Sequence, residues 1–369
     1  MNLKIGLVGL PNVGKSTIFN ALLQKVKAEV ANYPFCTIEP NVGAVAIPDE
    51  RLEIIAQRER SALKTPAFIE FVDIAGLVKD ASKGAGLGNQ FLSHVRGVSA
   101  IAQVLRCFED ENIVHVEGEV NPLRDAEIVE IELMMADFQT LERREEKVQR
   151  HAKGNKAIAQ ELETIKKCKT LLEDLKPLRL HRELFSPEEW LYLEKTLFLL
   201  TVKPMMYILN LGEGQLESLE VNNFYQTLKE KAQRESIPLI PLCGKIESEL
   251  ALLAPEEKRI FLEAFALKEP GLNLVIREGF RLLKLISFFT TNPKETKAWI
   301  IKEGTTARES AGEVHSDMER GFISAEVISF KDYLRVENWL KAREAGLIRL
   351  EGRDYLVQDG DIIYFRFNV

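Results

Sequence analysis

Short apolar runs alternate along this chain with stretches whose apolar positions recur every three or four residues. Residues 3–9, 67–73, 100–106, 205–210 and 238–242 read as buried strands, and several stop at a Gly, Asp or Asn, as strands do where a working loop follows. Segments between them, such as residues 16–24, read as helices. The alternation predicts an α/β fold in which helices cover both faces of a sheet.

The rhythm breaks between about residues 125 and 200. Ile131, Met134, Phe138, Leu141 and Val148 fall near heptad spacing, and after Gly154 and Asn155 the pattern resumes with Ile158, Leu162, Ile165, Leu172 and Leu175. Two helices joined at a Gly-Asn turn predict an antiparallel hairpin, an α-helical coiled-coil arm inserted into the α/β region. One more helix follows (residues 274–285), and from Phe288 the chain turns β-rich. Residues 296–301 and 322–328 read as strands, and residues 355–357 and 362–367 as strands flanking the turn Asp359-Gly360-Asp361. The expected domains are residues 1–128 with 198–280, a helical insertion over residues 129–197, and a third domain over residues 281–369.

Hydrophobic residues make up 46% of the chain, enough for a sizeable core, which excludes global disorder. A net charge of -7 argues against wrapping nucleic acid by charge alone. The arm departs from that balance: residues 143–169 hold nine basic and four acidic side chains. A solvated helical arm is one reading; an electropositive arm touching RNA phosphates through Arg143, Arg144, Lys147, Arg150, Lys153 and Lys156 is the other. Cys36, Cys107, Cys168 and Cys243 lie far apart, which predicts reduced thiols rather than zinc ligands. No charged leader with a long apolar stretch opens the sequence, and no apolar run reaches the length of a membrane span, so a soluble cytoplasmic protein without membrane contact is expected.

Gly9-Leu10-Pro11-Asn12-Val13-Gly14-Lys15-Ser16 fits G-x-x-x-x-G-K-[ST] between an expected strand and helix, the context that confirms a P-loop. Backbone N–H groups from Asn12 to Thr17 would cradle phosphate oxygens at a helix N-terminus. Lys15 would meet the β- and γ-phosphates and Ser16 would place its hydroxyl on Mg²⁺. About sixty residues on, Asp73-Ile74-Ala75-Gly76 closes a strand: Asp73 would hold Mg²⁺ through water, and the Gly76 N–H would meet the γ-phosphate. Thr37, in the loop Pro34-Phe35-Cys36-Thr37, is the expected second hydroxyl on Mg²⁺. Leu77 stands where switch GTPases use a glutamine to orient water, and it has no polar group for that task.

Asn210-Leu211-Gly212-Glu213 occupies the place of the guanine-reading N-K-x-D motif. Lys becomes Leu211 and Asp becomes Glu213. An Asn amide can serve adenine N6 and N7, so the departure favours ATP over GTP while leaving mixed use open.

Taken together, the loop G-L-P-N-V-G-K-S-T, the runs P-F-C-T-I-E-P-N-V-G, D-I-A-G-L-V-K-D-A-S-K-G-A-G-L-G-N-Q-F-L and R-C-F-E-D, and the C-terminal G-F-I-S-A-E-V-I-S-F and V-Q-D-G-D-I-I-Y-F-R-F-N-V resemble the Obg-like ATPases, the YchF family, over essentially the whole chain. The resemblance implies a TRAFAC-class P-loop domain with a G-domain-like sheet, an inserted coiled coil and a C-terminal ubiquitin-like β-grasp (TGS) domain. It also implies ATP preference, a hydrophobic residue (Leu77) in place of the catalytic glutamine, and association with ribosomes. In that family a histidine often follows the strand at residues 100–105. Gln103 stands near there in this sequence, and His94 reads as a helix-face or core residue.

The expectation is a Mg²⁺-dependent ATPase, a monomer, that switches between nucleotide states through segments around Thr37 and residues 76–88 and binds the ribosome or its large subunit. K⁺ is a second candidate cofactor, because an Asn12 oxygen in the P-loop is suited to a monovalent cation beside the phosphates. The competing reading is an RNA- or ribosome-binding module whose nucleotide site is vestigial or structural.

Overall fold

The structure, a computed structural model, describes residues 3–30, 41–74, 86–110, 112–150 and 156–368. Thr37, Cys36, Gly76, Leu77, Lys153 and the Gly154-Asn155 turn lie outside the described residues. By their contacts the residues fall into two units, chiefly Met1–Lys25 with Glu70–Val275, and Ala44–Ile69 with Ile276–Val369.

The apolar runs of the N-terminal two-thirds become β1 (Lys4–Val8), β2 (Val42–Ala46), β3 (Leu63–Thr65), β4 (Phe68–Asp73), β5 (Ala100–Arg106), β6 (Met205–Asn210) and β7 (Leu239–Leu242). All but β3 form one sheet in the order β2-β4-β1-β5-β6-β7. β1 pairs in parallel with β4 and β5, β5 with β6, and β6 with β7. β5 and β6 are buried at every residue, which is why they read as unbroken apolar runs rather than alternating ones. Parallel pairing puts the C-terminal ends of β1, β4, β5 and β6 on one edge, where an open α/β sheet carries its site. The helices of this part are α1 (Lys15–Val30) and α3 (Gly86–Arg96), while α2 (Glu50–Glu59) belongs by its contacts to the second unit.

The insertion is α4 (Pro122–Gln149), α5 (Lys156–Glu173) and α6 (Pro187–Lys195), followed in the chain by α7 (Asn223–Glu235) and α8 (Gly244–Leu250). Asn121 starts α4 by accepting the Arg124 N–H at 3.1 Å, with Pro122 next in the chain. The expected hairpin is only part of the arrangement. Met134, Leu141, Ile165, Cys168 and Leu172 pack with Leu178, Phe185, Leu193, Leu197 and Leu199, so α6 and the turn before it share the seam. Met134 and Leu141, and Ile165 and Leu172, keep the seven-residue spacing, but Ile131 and Leu175 fall outside the seam, 38% and 64% exposed, and Leu175 is left-handed (φ 57°) just past α5. Where the chain returns towards β6, buried Asp137 of α4 accepts the N–H groups of Leu200 and Thr201 and the Thr201 hydroxyl, each at 2.7 Å.

The second unit is built on β8 (Leu285–Thr291), β9 (Glu295–Lys302), β10 (Phe322–Ser329), β11 (Arg349–Glu351) and β12 (Asp361–Phe367), in the order β11-β10-β12-β8-β9-β3. An antiparallel β8–β9 hairpin, a central β12 parallel to β8, and the helix Ala307–Val314 packed on Phe288, Ile301, Val327 and Ile363 make a β-grasp arrangement. Residues 355–357 do not pair with β12 as expected. The Val357 and Ala307 N–H groups instead link that segment to residues 305–307, and Asp361 accepts from the Tyr355 hydroxyl (2.7 Å) and the Gln358 N–H (2.9 Å). Nothing in the hydrophobic pattern announces the partners of this sheet from the first half of the chain. β3 adds in parallel to β9, and Arg51 of α2 bonds Asp359 at 2.8 Å.

Candidate functional site

β1 runs straight into the P-loop and α1 begins at Lys15. Asn12 (φ 63°) and Gly14 (φ 88°) are left-handed, which folds the loop back towards the helix N-terminus. A Cβ on Gly14 would stand 2.0 Å from Asn210 Nδ2, so glycine is required there. The Asn210 amide donates to the Val13 carbonyl and its oxygen accepts the Gly244 N–H, both at 2.9 Å. One buried side chain thus bolts the loop to the ends of β6 and β7. Asn210 does line the cleft, but both its polar atoms are engaged by protein, leaving one amide hydrogen for a base.

Lys15, only 8% exposed, ion-pairs with Asp73 at the end of β4. Ser16 Oγ lies 3.5 Å from the other Asp73 oxygen. A hydroxyl and a carboxylate side by side at a helix N-terminus are hard oxygen donors that fit Mg²⁺. The Asp73 carboxylate meanwhile balances the buried ammonium. Above them opens a cleft of about 900 Å³ lined by residues 10–17, including Val13, Gly14 and Thr17, large enough for a nucleoside triphosphate.

Its far wall follows β5. Buried Arg106 donates to the carbonyls of Phe108 (3.0 Å), Ile113 (3.0 Å) and Asp110 (3.4 Å), and its guanidinium stands 4.6 Å from the Phe108 ring centroid. The Asn12 amide donates to the Val114 carbonyl at 3.1 Å, tying this wall to the P-loop. A histidine that follows β5 in the chain, His115, was not singled out from sequence. Its Nε2 lies 2.9 Å from Asp125 and its Nδ1 accepts the Glu117 N–H, both side chains being buried. Gln103 donates to the Asp125 carbonyl at 3.3 Å, so it braces the start of α4 and does not line the cleft.

At the opposite end Leu211, 1% exposed, offers an apolar surface, and Glu213 pairs with Lys245 at 2.7 Å. That hydrogen bond raises the Lys245 ammonium above its ordinary range. Cys243 also lines the cleft, and burial pushes its thiol up, so it remains protonated. Arg106, Phe108, Ile113, Val114 and Lys245 were not singled out as site residues from sequence. The available signal was the R-C-F-E-D run directly after a fully buried strand.

In the arm much of the basic excess is neutralised. Arg144 pairs with Glu161 (2.6 Å), Lys169 with Glu145 (2.9 Å) and Lys167 with Glu189 (3.3 Å). Arg143, Arg150 and Lys166 are exposed and make no ion pair among the described residues.

Known proteins share this framework. A family model described as "50S ribosome-binding GTPase" matches residues 4–136, and the model YchF-GTPase_C, described as a protein of unknown function, matches residues 285–368. The chain is 48% identical to "Ribosome-binding ATPase YchF" of Escherichia coli O157:H7, and 47% identical to the protein of that name from Bacillus subtilis (strain 168), over the full length of each. The chain belongs to the YchF family. The solved structure of the Schizosaccharomyces pombe YchF GTPase superposes with a TM-score of 0.89 at 36% identity, covering 99% of this chain and 98% of that one. YchF relatives thus carry both ATPase and GTPase names, a difference that concerns the base end of the cleft. No helix among the described residues is long and apolar enough to cross a membrane.

Proposed function

We propose that this chain is a Mg²⁺-dependent ATPase that binds the ribosome as a monomer and changes its grip with nucleotide state. The observation that carries the reading is the Lys15–Asp73–Ser16 cluster at the base of the P-loop cleft, together with full-length identity to proteins named ribosome-binding ATPases. Lys15 exchanges its contact with Asp73 for the β- and γ-phosphate oxygens, while the loop N–H groups orient the chain of phosphates. Ser16, Asp73 and Thr37 would hold Mg²⁺, which would supply charge neutralisation on the phosphates. Thr37 and Gly76 act as the switch residues that respond to the γ-phosphate.

For the base, Leu211 and Phe108 supply apolar and aromatic surfaces that any purine accepts, and Glu213 is already engaged by Lys245. That combination favours adenine over guanine, since a free carboxylate is what guanine N1–H and its 2-amino group require. K⁺ would act through Asn12. Its amide nitrogen is spent on Val114, and its oxygen has no hydrogen-bond partner among the described residues. The exposed arm cations Arg143, Arg150 and Lys166 are suited to rRNA phosphates.

The deciding experiment has two arms. Phosphate release and calorimetric binding with ATP and GTP should show the adenine nucleotide preferred. Co-sedimentation with ribosomes should differ between a non-hydrolysable ATP analogue and ADP. A clear GTP preference refutes the base assignment, and nucleotide-independent co-sedimentation refutes the switch. A vestigial site is disfavoured by the intact set of Lys15, Ser16 and Asp73 at the base of the cleft.

A further inference from the structure

The base end of the cleft closes with an ion pair between Glu213, at the third position after Asn210, and Lys245, in the first turn of α8. We infer that Lys245 is a specificity-determining residue: it occupies the Glu213 carboxylate and so withholds it from guanine. The inference rests on the nucleotide site proposed above and deepens it.

A carboxylate selects guanine because it accepts two hydrogen bonds at once, from N1–H and from the 2-amino group. Adenine presents an acceptor at N1 and has no 2-amino group. Glu213 stands where such a carboxylate belongs, so its length alone is a weak barrier to guanine. The ammonium is the stronger one. Lys245 projects from a turn whose backbone is pinned, because the neighbouring Gly244 N–H is bonded to Asn210. Its nitrogen lies 2.7 Å from a Glu213 oxygen, and the hydrogen bond raises the lysine's proton affinity. A guanine arriving at this edge must therefore compete for an acceptor already in use. Both partners face solvent, with side chains 71% and 47% exposed, so the competition is screened. An exposed pair of this kind shifts an equilibrium by no more than about fivefold. Lys245 therefore tunes the choice of base; it does not make it absolute.

The test uses the full chain. Dissociation constants for ATP and GTP are measured by calorimetry for wild type, Lys245→Ala, Glu213→Gln and the double variant. The ratio of ATP to GTP affinity should fall about two- to fivefold in Lys245→Ala, by a gain on the GTP side. In the Glu213→Gln background, removing Lys245 should leave the ratio where it was. An unmoved ratio in Lys245→Ala, or an equal fall in the Glu213→Gln background, overturns the inference. Wild-type protein that binds neither nucleotide sinks the nucleotide-site reading itself, an outcome distinct from an unmoved ratio.

Discussion

In the cleft, a buried lysine faces one carboxylate that is also suited to hold a metal, and the loop around it lines open space. In the arm, charges are paired off side chain to side chain: Arg144 with Glu161, Lys169 with Glu145, Lys167 with Glu189. At its base Arg179 bonds Glu130 of α4, and Lys231 of α7 lies 3.5 Å from the same carboxylate. The difference separates a site from a scaffold. Polar groups whose best partner is a ligand mark chemistry; polar groups that satisfy one another hold helices in place.

The largest expected effect lies in the cleft. Lys15→Ala removes the P-loop cation directed at the β- and γ-phosphates and should lower phosphate release by at least about a hundredfold. It also leaves Asp73 without its partner, so triphosphate binding should weaken. Release at the wild-type rate would show that the cleft is scaffold after all.

The arm's root should respond in stability. Asp137 is fully buried, and burial pushes its carboxyl up to about 6 despite the bonds from Leu200 and Thr201. A raised carboxyl gives most stability below the unfolded value, near 4, and loses it as the pH rises through about 6. The loss should be roughly 3 kcal/mol, at 1.36 kcal/mol per unit. Asp137→Ala should flatten that slope, and at neutral pH cost about 2–4 kcal/mol by orphaning its three donors. Urea midpoints at pH 4, 6 and 7.5 check both statements. A wild-type curve without a downward contribution across that window would contradict the buried, raised carboxyl.

Most of the cleft was legible in the sequence because a phosphate cradle needs fixed residue types at fixed spacing. Gly14 must be left-handed and lack a Cβ beside Asn210, and Lys15 must open the helix. The far wall was not legible. Arg106 acts by bonding three backbone carbonyls, and any loop presents carbonyls, so no pattern of side chains announces it. The arm was half legible. Periodicity found α4 and α5, but helical spacing cannot say which third element covers the seam, and Phe185 and Leu193 completed it. The addition of β3 to β9 was invisible because a three-residue strand carries too little pattern.

The arm's surface is the next test of the contrast. If Arg143, Arg150 and Lys166 meet rRNA phosphates, reversing them to Glu should weaken ribosome co-sedimentation and reduce its salt slope by up to about three. Phosphate release by the free protein serves as the check on folding. Binding that ignores both salt and the reversal would make the arm scaffold throughout.

The smallest effect, and the finest probe of the cleft, concerns Asn12. Its left-handed backbone and its bond to Val114 fix the side chain between the P-loop and the Arg106-clamped wall. Two roles follow from that one geometry. As a strut, Asn12 keeps the wall at the right distance, and Asn12→Ala should weaken binding alike in every salt. As a cation ligand, its oxygen would help hold K⁺ where charge develops on the phosphates, which would offset part of what Leu77 cannot supply. Hydrolysis by wild type should then be several-fold faster in K⁺ than in Na⁺ at equal ionic strength, and Asn12→Ala should lose that difference while retaining its slower Na⁺ rate. Equal wild-type rates in the two salts, or a variant that keeps its K⁺ stimulation, leaves Asn12 a strut and returns the rate to Lys15, Mg²⁺ and the loop backbone.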